Sequence, residues 1–221
     1  MKWEVKHSPA YSLLKVFLTP GESLTVEAGS YMAHRGDVEI KTGTKGLLSA
    51  ISRALFTGEP VFLNTFTARN AAEIWVAPSA PGDITAIQVE PGKPIIIQDT
   101  SFLAYSGDIK LSVSFSFKRF WVERQFAWLK AEGLGTVWVS SYGAMETVEL
   151  GPGERMTVDN LHFVAMEDIL HYRTRKFGGW KSTIFGGEGL VIELEGPGKV
   201  WLQTRMVPGL VELLSPYIKT R

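Results

Sequence analysis

The chain contains four histidines, and histidine is the side chain most often used to bind metals or to transfer protons near neutral pH. They are His7, His34, His162 and His171. No two stand at H-x-H or H-x-x-x-H spacing, and the H-E-x-x-H motif of zinc proteases does not occur. The absence of cysteine rules out thiolate nucleophiles, disulfides and Cys-ligated zinc. We therefore predict no metal site and no cofactor, and we interpret the histidines as surface or strand-edge residues.

Carboxylates at recurring positions are the next candidates, because paired carboxylates can act as acid and base. Asp37, Asp108 and Asp168 recur along the chain. The first two each follow a glycine at an expected bend between strands, where aspartate is a common turn former. A structural role in turns is the interpretation we favour for all three, and we predict no catalytic residue among them.

Two glycine runs resemble a phosphate-binding loop at first sight. They are Gly178-Gly179 and Gly186-Gly187-Glu188-Gly189. A P-loop requires a following Lys-Ser/Thr and then a helix, whereas the sequence after Gly189 is typical of a strand. The nucleophile motif G-x-S-x-G is missing as well. The runs are better explained as a glycine-rich β corner, and the sequence favours a protein that is not an enzyme.

A phrase built on Pro-Gly occurs three times and indicates how the chain is organised. The copies are VFLTPGESLTVEAGSYMAH, IQVEPGKPIIIQDTSFLAY and VELGPGERMTVDNLHFVAM. An apolar residue lies six positions after each proline, an aromatic residue eleven and an alanine thirteen: Val26, Ile97 and Val158; Tyr31, Phe102 and Phe163; Ala33, Ala104 and Ala165. Spacing kept without a gap predicts one supersecondary unit used three times.

Within each copy the residues around Pro-Gly are typical of a strand, a tight turn and a second strand. The stretch before the turn alternates apolar and polar residues, as a half-buried strand does. Proline and glycine suit the two central turn positions. Further strands are predicted at residues 24–26, 95–97 and 156–158, at 36–40, 107–111 and 167–169, at 61–66, 137–142 and 190–194, and at 200–204. Trp3 and Trp75 lie at comparable distances before a Pro-Gly, and we predict that their strands correspond.

The predicted fold is mostly β: a β-sandwich or barrel built from three internal repeats with pseudo-threefold symmetry. The repeats cover approximately residues 1–70, 71–144 and 145–221, and without linkers they form a single domain. Apolar residues at helical spacing predict short helical insertions near 46–57 and 117–131. The apolar face of residues 47–56 could pack on its own core, on another subunit, or on a protein partner or membrane surface.

Bulk composition excludes several classes of protein. Lys+Arg and Asp+Glu number 23 each, and this neutral balance makes nucleic acid an unlikely partner. The amino terminus has no apolar signal region, and no stretch approaches the roughly 20 apolar residues that cross a bilayer. A cytoplasmic location is therefore expected.

The three Pro-Gly strands, ARNAAEIWVAP at residues 68–78 and GGWKSTIFGGEGLVIELEGPGKVWLQTR at residues 178–205 together carry a resemblance to a known family. The chain resembles the altered-inheritance-of-mitochondria protein 24 family, whose prokaryotic members have a fold like the tryptophan RNA-binding attenuation protein. The resemblance implies β-sandwich units with pseudo-threefold symmetry that assemble into oligomers. It implies no catalytic residue.

Two functional hypotheses follow, and the sequence leaves both open. The first is a non-enzymatic, homo-oligomeric scaffold or interaction protein, since apolar and aromatic residues are expected in loops: Phe56, Trp121, Trp128, Trp180 and Phe185. The second is a small-molecule-binding module, or an enzyme, with a pocket between sheets.

Overall fold

The structure is a computed structural model, and it describes residues 1–43, 63–118, 125–176 and 190–218. The described chain is mostly β, in antiparallel sheets, with one short helix, α1 (Val207–Leu214). The strands are β1 (Lys2–Lys6), β2 (Leu13–Leu18), β3 (Ser23–Glu27), β4 (Tyr31–Arg35), β5 (Val38–Gly43), β6 (Leu63–Ala68), β7 (Ala72–Val76), β8 (Ile84–Val89), β9 (Ile95–Gln98), β10 (Phe102–Lys118), β11 (Gln125–Ser140), β12 (Met145–Leu150), β13 (Arg155–Asp159), β14 (Phe163–Glu167), β15 (His171–Lys176), β16 (Leu190–Glu195) and β17 (Gly198–Gln203).

The described strands form three sheets. The largest has the order β12-β17-β14-β9-β11-β10-β3-β6-β5, with β8 also paired to β11. A four-stranded sheet has the order β1-β2-β7-β4, and a three-stranded sheet has the order β13-β16-β15. Each of these sheets is open at both ends of its strand order, so the described strands do not form the closed barrel that was one of the two predicted architectures.

The Pro-Gly turns are formed as the sequence predicts. Gly21, Gly92 and Gly153 have φ of 84°, 79° and 77°, a left-handed conformation that glycine adopts at low cost. The strands on either side of each turn are β2 and β3, β8 and β9, and β12 and β13. The two strands at each turn do not pair with each other: β2 and β3, and β12 and β13, belong to different sheets, while β8 and β9 pair with different parts of β11. Each Pro-Gly turn is therefore a corner rather than the end of a hairpin, and we call the turn with its two strands a Pro-Gly unit. These units carry the apolar residues of the repeated phrase and supply much of the core.

A strand with a central tryptophan follows each Pro-Gly unit and pairs with the strand that carries the repeat alanine. The pairs are Trp75 with Ala33, Trp138 with Ala104 and Trp201 with Ala165. A register shift lies immediately before each alanine, between residues 31 and 33, 102 and 104, and 163 and 165. The predicted correspondence of Trp3 with Trp75 is therefore wrong. Trp3 lies on β1, an edge strand, whereas Trp75 is on β7, between β2 and β4.

Strands β10 and β11 form one long antiparallel pair, from Phe102 opposite Val139 to Lys118 opposite Gln125. The predicted helix at 117–131 is therefore wrong, because its described residues, 117–118 and 125–131, are in these strands. Ala127, Trp128 and Leu129 are all buried, so β11 is covered on both faces there and shows no polar alternation. The predicted helix at 46–57 lies outside the described residues.

One predicted strand is displaced. Residues 167–169 were expected to be a strand, but Glu167 ends β14, and the chain then turns before β15 begins at His171. The N–H of Asp168 donates to the carbonyl of Pro94, and the N–H of Leu170 donates to the carbonyl of Glu167. These backbone hydrogen bonds close a turn at a point where the second copy continues as one strand, β10, and the first copy breaks for two residues between β4 and β5.

The core is divided into three neighbouring apolar clusters. One centres on Phe66 and Trp138, the next on Phe102, and the third on Trp128 and Phe163. The sheet between them is continuous because β3 pairs with β10 and β9 pairs with β14. The first Pro-Gly unit is therefore joined to the second copy, and the second unit to the third copy, by main-chain hydrogen bonds.

Candidate interaction surfaces

The four histidines are separated in the structure and serve local contacts. His34 Nδ1 lies 2.7 Å from the Tyr31 hydroxyl, and His162 Nδ1 donates to the carbonyl of Gln203 at 2.6 Å. His7 adopts a left-handed φ of 61° after β1, and His171 begins β15. Over residues 1–43, 63–118, 125–176 and 190–218, no group of three or more His, Cys, Asp or Glu could hold a metal ion.

The three recurring aspartates lie at separate places on the sheets. Asp37 lies between β4 and β5, and its backbone carbonyl accepts the N–H of Arg69 at 2.9 Å. Asp108 lies within β10, opposite Leu134 of β11. The Asp168 carboxylate is 3.0 Å from Lys130 Nζ. The hydrogen bonds that Lys130 donates to Asp168 and, second, to Glu132 raise the pKa of Lys130. This arrangement keeps the lysine charged and gives it no features of a general base.

A polar groove of about 480 Å³ runs across the three-stranded sheet. Its charged side chains are mostly paired: Arg155 Nε is 2.9 Å from Glu195, and Arg173 Nε is 3.4 Å from Glu193. Arg175 also donates to Glu193. Opposite charges that neutralise one another on an exposed sheet leave little net field to attract an ion. The groove is therefore a weak candidate for a charged ligand.

Helix α1 presents apolar side chains that nothing in the described structure covers. None of its residues is buried, and Val211 and Leu213 are 57% and 67% exposed. The following residues Tyr217 and Ile218 are exposed as well. A helix on a globular domain normally buries its apolar stripe, so an uncovered apolar helix is typical of an interaction surface.

The second apolar surface is strand β4. Tyr31 is stacked on the buried ring of Phe66 with centroids 5.0 Å apart, yet it remains 38% exposed. The next residue, Met32, is 56% exposed. Met32 occupies the register shift between Tyr31 and Ala33, and such a bulge re-aims the side chain of the extra residue.

The aromatic residues predicted to be exposed in loops do not form the candidate surface. Trp128 is wrong as a loop residue: it is on β11, 2% exposed, with its ring 5.0 Å from Phe163 and 5.6 Å from Tyr172. Phe56, Trp121, Trp180 and Phe185 lie outside the described residues. Sequence reasoning missed α1, although the run VPGLVELLSPYI has a single charge, at Glu212, and could have been noticed.

No helix in the described part of the chain is long and apolar enough to cross a membrane. Comparison with known proteins matches residues 3–205 to the family described as Mitochondrial biogenesis AIM24. An uncharacterized protein of Streptococcus pyogenes serotype M6 is 26% identical, over 100% of this chain and 92% of its own. The X-ray crystal structure of a Streptococcus pyogenes protein has a TM-score of 0.81 at 27% identity, covering 98% of this chain and 99% of that one.

Proposed function

The chain belongs to the AIM24 family, whose description names a process and no reaction, and we propose that it is a non-enzymatic, homo-oligomeric scaffold or interaction protein. The observation that carries the proposal is the uncovered apolar surface of α1. Contact with another protein surface would remove side chains such as Leu213 from water, which lowers the free energy by about 25 cal/mol per Å² of apolar area buried.

The proposal includes an organisation for the scaffold. Three fused repeats, approximately 1–70, 71–144 and 145–221, form one domain with pseudo-threefold symmetry, and the protein works in the cytoplasm. The three Trp–Ala strand pairs support the repeat, because the same pairing recurs with the same bulge. Membrane association through residues 47–56 is not part of the proposal.

Light scattering over a range of protein concentrations tests it. We expect a mass above the 24.5 kDa of one chain at micromolar concentration, falling on dilution. The double substitution Val211→Lys, Leu213→Lys should lower the average mass, because it places two charges on the apolar face of α1. Leu134→Lys is the matched control, since Leu134 is 62% exposed on β11, outside α1. A strict monomer at all concentrations would contradict the proposal.

The groove on the three-stranded sheet favours a second candidate, a small-molecule-binding module. Its volume of about 480 Å³ is within the usual range for ligand sites, but its lining is polar and ion-paired rather than apolar. A thermal-shift screen over metabolites and metals tests this candidate, because a ligand specific for the folded state must stabilise it. A rise of several degrees with one class of compound, lost in Arg173→Ala, would favour binding over scaffolding.

A further inference from the structure

Two strand pairings join one Pro-Gly unit to the next copy along the chain, and both have the same register. Where β3 meets β10, Val26 is opposite Ala104 and Thr25 is opposite Tyr105. Where β9 meets β14, Ile97 is opposite Ala165 and Ile96 is opposite Met166. In both junctions the residue six positions after one Pro-Gly proline faces the alanine thirteen positions after the next. If the third Pro-Gly unit met the first copy in the same register, Val158 of β13 would lie opposite Ala33 of β4.

That third junction is not formed in the described structure. Strand β13 is an edge of the three-stranded sheet, and β4 is an edge of the four-stranded sheet. At the two junctions that exist, the equivalents of β4 are in the middle of the largest sheet. The two smaller sheets thus end in the two strands, β13 and β4, whose equivalents pair with each other at the two junctions that are formed.

Exposure shows what the missing pairing leaves uncovered on β4. Met32 is 56% exposed, whereas Leu103 and Val164, at the same repeat position, are 1% and 0% exposed. Tyr31 is 38% exposed, and its equivalents Phe102 and Phe163 are buried. Tyr31 and Met32 are therefore apolar at positions that are buried in the other two copies, but in β4 no neighbouring strand covers them.

The other edge, β13, shows the same difference. Thr157 is exposed, whereas its equivalents Thr25 and Ile96 are buried where β3 and β9 have a partner. A bare edge presents unpaired N–H and C=O groups that can pair with another strand, and proteins usually protect such edges with lysine or proline. Neither lysine nor proline occurs in β4 or β13, and their charged residues Arg35, Arg155 and Asp159 stand at the strand ends rather than in the middle of the edge.

We propose that the β13 edge of one copy pairs with the β4 edge of a second copy, antiparallel, with Val158 opposite Ala33 and Thr157 opposite His34. The occupant is a second copy because each copy carries both complementary edges, and the described part of the chain pairs neither of them. The inference rests on the proposed function and names the joint that builds the oligomer. Since the two edges differ, the contact is head-to-tail and produces a ring or a filament.

Single cysteines test the register directly, because the natural chain has none. His34→Cys and Thr157→Cys are made as separate proteins and mixed under mild oxidation. Directly opposite residues in an antiparallel pair have Cα atoms about 4.5–5.5 Å apart, within reach of a disulfide. We expect a covalent dimer in the mixture and none in either protein alone. Thr147→Cys, an exposed threonine on β12, replaces Thr157→Cys as the matched control and should give no dimer.

The alternative geometries give different products. A covalent dimer of His34→Cys alone would mean that β4 pairs with β4, and would overturn the head-to-tail joint. In a protein carrying both cysteines, we expect a ladder of linked chains. A disulfide formed within one chain, at monomer mass, would show that the junction closes internally and would overturn the proposal.

Met32→Lys separates this inference from the proposed function. The change should leave the fold intact because Met32 is exposed, but it buries a charge in the joint and should raise the Kd of association at least about tenfold. Leu134→Lys should leave the Kd unchanged. Undiminished association of Met32→Lys, at unchanged Tm, would overturn the joint and leave the scaffold proposal standing. A monomeric natural chain would overturn both.

Discussion

Three aromatic residues at one repeat position provide a matched stability series within a single chain. Phe102 and Phe163 are 2% and 0% exposed, and each fills a closed core, so truncation to alanine leaves a cavity. We expect Phe102→Ala and Phe163→Ala to lower the free energy of unfolding by roughly 3–5 kcal/mol each. Tyr31 is 38% exposed in an open edge strand, where solvent can refill the space. Tyr31→Ala should cost only about 1–2 kcal/mol, close to the transfer free energy of the part that is buried.

The free energy of unfolding of each variant is measured by urea denaturation, with tryptophan fluorescence as the signal, at concentrations low enough for the chain to be monomeric. For a chain of this length, 1 kcal/mol shifts Tm by about 2–4 °C, so Phe102→Ala should lower Tm by roughly 6–20 °C. Equal losses at all three positions would mean that β4 is covered within the chain. A free energy of unfolding for Phe102→Ala equal to that of the natural chain would show that the repeat position is not in the core.

Three further changes probe the same account. Ala104→Leu should destabilise by about 1–3 kcal/mol through overpacking at the β3–β10 junction, while Ala33→Leu, at the uncovered equivalent, should cost less in chemical denaturation. Glu27→Gln should raise Tm at pH 7. Burial raises the pKa of Glu27 in the folded state above its ordinary 4.5, so the cost of ionising this carboxyl grows as the pH rises from about 4.5 and is complete above the raised pKa. The gain from glutamine should therefore vanish below about pH 4.5, which a pH series of melting curves would reveal. Gly133→Ala should prevent folding or destabilise severely, because its Cβ would lie 2.0 Å from the carbonyl oxygen of Asp108. Gly92→Ala has a φ of 79° but nothing within 4 Å of the new Cβ, so it should lower the free energy of unfolding by only about 1–2 kcal/mol. Circular dichroism melts of the two variants would show the difference.

The Pro-Gly turns and the strands beside them could be predicted from sequence because the information for them is local, whereas which strands pair across the sheets could not. Pro-Gly sets each turn, and alternation sets the strands before it, so Leu14, Val16 and Leu18 are buried on one face of β2. The resemblance to the AIM24 family rested on the same local phrases, and it is confirmed.

The errors came from tertiary effects that local patterns do not record. Residues 125–131 have aromatic residues near helical spacing, but pairing with β9 and β10 covers both faces and makes the segment a strand. Trp75 was matched to Trp3 by distance along the chain, although pairing with β2 and β4 places it in a central strand. Exposure of β4 could not be predicted either, because Tyr31 and Phe102 look alike in sequence, and only the absent neighbour distinguishes them.

Hydrogen exchange at a series of protein concentrations tests the central claim, that β4 and β13 are open edges which pair between copies. Among residues 31–35 and 155–158, the amides that do not donate to β7 or β16 should exchange quickly in dilute protein and become protected as concentration rises. Amides of residues 102–105 and 163–166, at the junctions already formed, should be protected throughout. Strong protection of these outward-pointing amides of β4 and β13 at the lowest concentration would show that the chain closes on itself. No gain in protection where light scattering shows oligomers would place the contact elsewhere, and either result would contradict the account.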